Sequence, residues 1–210
     1  MQIAGLQKFS LSDYPGQPAA VVFTRGCNLR CPWCHNPSLV YPEQYAPLIP
    51  EEEVLSFLST RKSKLKAVVV SGGEPTLQPD LLTFLRKLKE LGFLVKLDTN
   101  GTRPEVLKEA LKNKLLDCFA VDYKDEINRY PRLTTRLTKG NGSHFTWEHQ
   151  LKEAVETSIL LAIADARGYI RTTVVPGINI GNMSRYIEKM TGVRPGNRKW
   201  VLQRVKYSSY

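Results

Sequence analysis

The chain has no apolar run near the roughly 20 residues that a bilayer-spanning helix needs, and Met1 to Tyr14 lacks the charged-then-apolar order of a secretory signal. Both absences lead us to expect a soluble, cytoplasmic protein with no membrane partner. Cysteine is scarce, 4 in 210 residues, too few for a disulfide scaffold. Three of the four, Cys27, Cys31 and Cys34, are close together and only Cys118 stands apart; that spacing suits ligands better than bridges. No internal repeat, low-complexity tract or linker interrupts the sequence, so 1–210 reads as a single domain. A domain of this length removes roughly 70% of its extended-chain surface from water. Acid is short relative to base, 20 Asp+Glu against 30 Lys+Arg, for a formal charge of +10. Such an excess steers association without specifying a fold. A second paired cysteine set and a recognition-helix pattern are both missing, so no nucleic-acid partner is expected.

What is present is alternation. Strand-length apolar runs occur at Ala19 to Phe23, Ala67 to Val70, Phe93 to Leu97, Cys118 to Val121, Tyr169 to Val175 and Trp200 to Val205. Helical patterns lie between most of them: Glu51 to Ser59 with three glutamates after Pro50, Asp80 to Leu91, Glu105 to Leu116 and Trp147 to Arg167. Strand and helix in alternation predict right-handed parallel β-α-β units, as an open doubly wound sheet or an incomplete barrel. Asp13-Tyr14-Pro15-Gly16 has turn chemistry and predicts a short N-terminal hairpin over Met1 to Gly16. Ile127 to Ser143 carries Arg129, Arg132, Arg136 and Lys139 with no acid; it reads as an irregular, mobile basic loop.

In parallel α/β folds ligands bind at the carboxyl ends of the strands, and the unusual residues lie there. Cys27-x3-Cys31-x2-Cys34 follows the first run. Three thiolates can hold three corners of a cubic iron-sulfur cluster and leave one iron open. A structural zinc site completed by His35 or Cys118, or unligated thiols, are the alternatives. Gly72-Gly73-Glu74-Pro75 follows the second run: glycines admit close backbone approach, and an acid beside them can accept from a ligand's ammonium group. A tight turn into the next helix explains the glycines equally well. Asp98-Thr99-Asn100-Gly101 follows the third run and Asp122 and Lys124 the fourth. Two carboxylates and a hydroxyl suit a hard cation or sugar hydroxyls; a turn with a helix cap, and a surface ion pair, are the plainer readings.

The three cysteines, Trp33 before the last of them, and Gly72-Gly73-Glu74-Pro75 one strand later together resemble the radical S-adenosylmethionine (SAM) superfamily. The resemblance implies a partial (β/α)6 barrel with the short N-terminal hairpin. It implies one 4Fe-4S cluster on Cys27, Cys31 and Cys34, with the amino and carboxylate groups of SAM on the fourth iron. Reduced cluster then cleaves SAM to methionine and a 5'-deoxyadenosyl radical, which abstracts hydrogen. Further segments, Gly5-Leu6-Gln7-Lys8-Phe9-Ser10, Asp13-Tyr14-Pro15-Gly16, Cys34-His35-Asn36-Pro37, Lys96-Leu97-Asp98-Thr99-Asn100-Gly101 and Thr172-Thr173-Val174-Val175-Pro176-Gly177, look like the activating proteins of anaerobic ribonucleoside-triphosphate reductase. Those activases remove hydrogen from a backbone glycine of a partner enzyme.

Carried over by position, the Trp33 segment would lie beside adenine, and Gly72, Gly73 and Glu74 would meet the methionine amino group. Asp98, Asn100, Lys124 and Arg171 would contact SAM, with Asn36 as a further contact. By similarity to pyruvate formate-lyase activases, Asp98, Thr99 and Asp122 would hold a monovalent cation near the SAM carboxylate. The implied partners are a glycyl-radical enzyme, the anaerobic ribonucleotide reductase first, and a flavodoxin or ferredoxin as electron donor. The basic residues Arg185, Lys189, Arg194, Arg198, Lys199, Arg204 and Lys206 could steer an acidic partner or simply form a solvated face. Two departures stand out: only Cys118 is left for any second cluster, and Ile127 to Ser143 is unusually basic. Activation of another glycyl-radical enzyme, or small-molecule chemistry such as deazapurine synthesis, is the alternative function.

Overall fold

The computed structural model describes residues 1–134 and 144–204. The chain runs β1 (Ile3–Ser10), β2 (Ala19–Thr24), α1 (Glu51–Ser59), β3 (Ala67–Gly72), α2 (Leu81–Glu90), β4 (Leu94–Thr99), α3 (Pro104–Lys112), β5 (Cys118–Asp122), α4 (His144–Ala164), β6 (Gly168–Val174), α5 (Ile180–Thr191) and β7 (Trp200–Arg204). The strands form one sheet in sequential order from β1 to β7. β2 through β7 are parallel, and β1 is antiparallel to β2. A doubly wound sheet reverses its order at a switch point; sequential order does not, and crossovers of one hand put the helices on one face and curl the sheet. The architecture is therefore the incomplete barrel, with β1 and β7 as its edges. Among the described residues, no helix is long and apolar enough to cross a membrane.

Alternation along the strands sorts side chains into two cores. Outward-facing Val68, Val70, Val95, Leu97, Phe119, Val121 and Ile170 pack with Leu85, Leu107, Ile159 and Ile187 from the helices. Inside the barrel, Tyr14, Ala19, Val21, Ala67, Val69 and Cys118 form a second cluster. Cys118 is thus a core residue at the start of β5, and the carboxyl end of the lumen is left to polar groups. Lys96 and Asp98, two positions apart, alternate with Val95 and Leu97 and are both buried.

The expected N-terminal hairpin is formed by β1 and β2 across the Asp13–Gly16 turn, and its eight-residue first arm is an edge strand of the sheet. Two further elements differ from the sequence reading. Ile180–Thr191 is a helix, opened by Asn179, whose side chain accepts from Asn182 N, and closed by Gly192 in the left-handed region at φ 73°. Ile127–Leu133, expected to be irregular, is a 3-10 helix that buries Ile127, Tyr130 and Leu133; a spacing of three puts them on one face of that tighter helix. The remainder of the basic segment, with Arg136 and Lys139, lies outside the described residues, as does Lys206.

Candidate functional site

The loops after β2, β3 and β4 and the carboxyl ends of β5 and β6 enclose one cleft of about 790 Å³ including its open mouth. Every site residue expected from the sequence lines it: Cys27, Cys31, Trp33, Cys34 and Asn36 from the first loop, Gly72, Gly73 and Glu74 from the second, Asp98, Thr99 and Asn100 from the third, and Asp122, Lys124 and Arg171 from the last two strands. Leu29, His35, Val40, Ser71 and Thr173 complete the wall.

The two glycines are demanded by the protein's own backbone. A Cβ on Gly73 would lie 2.0 Å from Gly26 O, and one on Gly72, at φ 123°, would lie 2.3 Å from Thr24 N. The close approach lets Gly73 N donate to Thr24 O at 2.9 Å and Glu74 N to Gly26 O at 2.7 Å, which ties the second loop to the cysteine loop.

Glu74 is 1% exposed, and its carboxylate faces protein donors. Oε1 accepts from Thr76 N (3.0 Å), Thr76 Oγ1 (2.6 Å) and Thr99 Oγ1 (2.7 Å), and Oε2 from Asn100 N (2.6 Å). Burial pushes its pKa up, against the pull of these hydrogen bonds. The side chain expected to meet a ligand's ammonium group instead clasps the ends of β3 and β4. Asn100 continues the bracing: its Oδ1 accepts from Thr102 N and Thr102 Oγ1, and its Nδ2 donates to Asn28 Oδ1 at 2.9 Å and approaches Cys27 Sγ at 3.9 Å.

Across β4, β5 and β6 runs a chain of alternating charge. Lys96 Nζ lies 2.8 Å from Asp98 Oδ1, Arg171 Nη1 2.9 Å from Asp98 Oδ2, Arg171 Nε 2.6 Å from Asp122 Oδ1, and Lys124 Nζ 2.7 Å from Asp122 Oδ2. Burial opposes ionisation of Asp122, but Arg171 and Lys124 outweigh it and hold the carboxyl well below the usual carboxylate range. Register explains the meeting: Asp122 pairs with Arg171 across β5 and β6. Arg171 thus bridges Asp98 and Asp122, the two carboxylates of the expected cation site. Thr99, its third expected ligand, is turned to Glu74 and Gly101. Lys96 was missed in the sequence; a lysine inside an apolar run, in phase with Asp98, was the available signal.

The thiols are far less committed. Cys27 Sγ accepts from Leu29 N at 3.3 Å, and burial pushes the thiol up to about 12; burial also raises Cys31. Among the described residues no three His, Cys, Asp or Glu side chains converge on a point that would hold one metal ion. His35 is exposed and Cys118 belongs to the inner core, so neither completes a closed zinc site. Three thiols along one wall of a cleft fit a cluster whose irons occupy separate corners. Trp33 Nε1 is buried without a partner beside the same cleft, a donor available to a bound ligand.

Two basic regions are also placed. The 3-10 helix packs on the cysteine loop through a Leu29–Thr134 bridge and Arg30 N donating to Leu133 O at 2.5 Å. Lys199, expected on a solvated or steering face, instead donates to Ala162 O in the last turn of α4 and to Asp165 O and Gly168 O between that helix and β6.

A family model described as the Radical SAM superfamily matches residues 21–190. A Methanocaldococcus jannaschii protein provisionally named as a glycyl-radical enzyme activating enzyme is 42% identical over 129 residues, covering 61% of this chain and 52% of that protein. The chain thus aligns with about half the length of that relative. A 7-carboxy-7-deazaguanine synthase of Thermococcus kodakarensis is 26% identical over 195 residues, 83% of this chain and 71% of that one. A pyruvate formate-lyase-activating enzyme of Clostridium pasteurianum is 37% identical over 143 residues, 66% and 59% of the two chains. Among solved structures, anSMEcpe with bound AdoMet superposes with a TM-score of 0.55 at 18% identity, over 88% of this chain and 52% of that one, a likeness of fold.

Proposed function

The chain belongs to the radical SAM superfamily, whose members use a 4Fe-4S cluster and SAM, and from that premise we propose that it is a glycyl-radical activase. Its proposed substrate is a backbone glycine of a partner enzyme, the anaerobic ribonucleoside-triphosphate reductase first, with flavodoxin or ferredoxin as electron donor. The observation that carries this reading is the 42% identity to the archaeal activating enzyme over 129 residues. The Clostridium relative supports it. A barrel left open between β1 and β7, the edge strands of the sheet among the described residues, is compatible with a polypeptide substrate.

When bound, the cluster and SAM supply one-electron cleavage of the sulfonium and the hydrogen-atom abstraction that follows. The chain's part is to hold and orient. Cys27, Cys31 and Cys34 are proposed to ligate three irons. Lys96, Arg171 and Lys124 outnumber Asp98 and Asp122 by one charge, and that excess suits a ligand carboxylate at the mouth. The backbone of Gly72 and Gly73 borders the cleft and is proposed to meet the amino group, a role Glu74 supports by fixing the loop. Trp33 offers its free N–H. Leu29 and Val40 are buried apolar parts of the wall that keep water out.

Anaerobic reconstitution with iron and sulfide, then electron paramagnetic resonance with and without SAM, tests the cofactor chemistry. Added anaerobic reductase should then acquire a glycine-centred radical signal in step with 5'-deoxyadenosine release. Release that depends on a small heterocycle and ignores every glycyl-radical protein would replace this reading with a small-molecule one, which the alignment over 83% of the chain to a deazaguanine synthase keeps in view.

A further inference from the structure

We propose that the Arg171 guanidinium is the built-in cation of this site, taking the place of a bound monovalent metal, and that Lys96 is the positioning residue that holds its carboxylate partner. The proposal concerns cofactor binding and holds whether the substrate is a glycine or a small molecule.

A hard monovalent ion at the junction of β4 and β5 would need oxygen ligands, and the candidates are Asp98, Asp122 and Thr99. Asp122 Oδ1 receives Arg171 Nε and Oδ2 receives Lys124 Nζ. Asp98 Oδ2 receives Arg171 Nη1. Asp98 Oδ1 is ion-paired with Lys96 Nζ at 2.8 Å and has no other donor, which leaves it the least engaged of these oxygens. Thr99 Oγ1 donates to Glu74 and accepts from Gly101 N. One spare oxygen does not make a cation site. Charge agrees: three cations already face two carboxylates, so an added metal ion would raise a surplus in a place where Asp98 is 6% exposed and screening is weak.

Lys96 is the hidden end of the chain. It is 1% exposed, outside the cleft lining, and its Nζ also donates to Asp13 O at 2.6 Å and lies 5.6 Å from the centre of the Tyr169 ring. It reaches the cofactor only through Asp98 and Arg171. Its anchors on the turn after β1 and on β6 fix where Asp98 points, and Asp98 with Asp122 fixes the plane of the guanidinium.

The test uses the cluster-reconstituted protein and equilibrium dialysis with labelled SAM, in tetramethylammonium chloride, sodium chloride or potassium chloride at equal ionic strength. The wild-type dissociation constant should change less than twofold among the three salts, and so should its iron content. Arg171→Met, which empties the position between the carboxylates, should make SAM affinity at least fivefold better in sodium or potassium than in tetramethylammonium. Lys96→Met should weaken SAM binding about tenfold at unchanged iron content, and Lys96→Arg should restore it to within threefold. Wild-type affinity that improves fivefold or more with sodium or potassium would overturn the built-in cation. Lys96→Met that binds SAM as wild type does, or Lys96→Arg that fails to rescue, would overturn the positioning role. Should Arg171→Met not fold, the wild-type salt series and the Lys96 pair still decide.

Discussion

Gly73→Ala separates two reasons for a glycine at this strand end. Gly73 is not at positive φ, so the substitution has no dihedral penalty of the left-handed kind and its cost is contact alone. The new Cβ would start 2.0 Å from Gly26 O and 2.6 Å from Gly26 C, backbone atoms that cannot rotate aside. Reaching an ordinary contact requires the two loops to part by more than 1 Å, roughly the scale at which overpacking costs 1–3 kcal/mol. The parting also breaks the Glu74 N to Gly26 O bond, worth about 1 kcal/mol net. The cluster-free protein should therefore lose about 2–4 kcal/mol, read from urea denaturation with unchanged slope. Gly92→Ala serves as the control: its Cβ meets nothing within 4 Å, and its φ of 85° charges only the backbone, about 1 kcal/mol. A Gly73→Ala protein as stable as wild type without cofactor, yet unable to bind SAM, would refute the reasoning and return the glycine to ligand approach.

The other expected outcomes concern neighbouring groups. Glu74→Gln keeps the volume but turns an amide group toward donors that a carboxylate satisfied, so stability should fall by about 2–4 kcal/mol in the cluster-free protein, by calorimetry. Cys31→Ala should leave almost no iron after reconstitution. Cys118→Ala should keep the full iron content and lose only about 1 kcal/mol of core burial. Asp122 has a depressed folded pKa, so its contribution is complete above the unfolded value of about 4 and is lost as pH falls through the folded one. Urea midpoints between pH 5 and 2 should then fall more steeply for wild type than for Asp122→Asn, and parallel curves would disprove the linkage.

How much of this could be read in the chain depends on which periodicity carries each element. β2 to β5 are largely buried on both faces, and their mostly apolar runs stand out against polar loops, whereas β6, with Arg171, Thr172 and Thr173, is buried at alternate positions. β1 does not stand out, because an edge strand with Gln7, Lys8 and Phe9 exposed has no apolar run. α5 carries Met183 and Ile187 four apart between Asn179 and Gly192, a readable pattern that its basic residues hid. The cleft lining was legible because parallel topology sends unusual residues to one end. The partners within it were not: spacing along the chain cannot show that Asp122 stands beside Arg171, since that depends on strand register, and a one-residue slip would turn Arg171 away.

The bonding pattern divides the groups that build the site from the groups kept for a ligand. Glu74, Asn100, Asp98, Asp122 and Arg171 spend most of their hydrogen-bonding capacity on one another or on the loops, and together they brace β3, β4, β5 and β6. The cysteine loop is held through its backbone and its flanks, by Gly26 to Glu74, Asn28 to Asn100 and Thr102, and Leu29 and Arg30 to the 3-10 helix. Its thiols are left with two weak contacts, both on Cys27, and Trp33 Nε1 with none. Ligation at those atoms therefore breaks little existing structure, and the cost of organising the surroundings is met in folding. Residue types that look like ligands in the sequence thus fall into two classes here: the carboxylates are hydrogen-bonded within the protein, and the thiols are left with few partners.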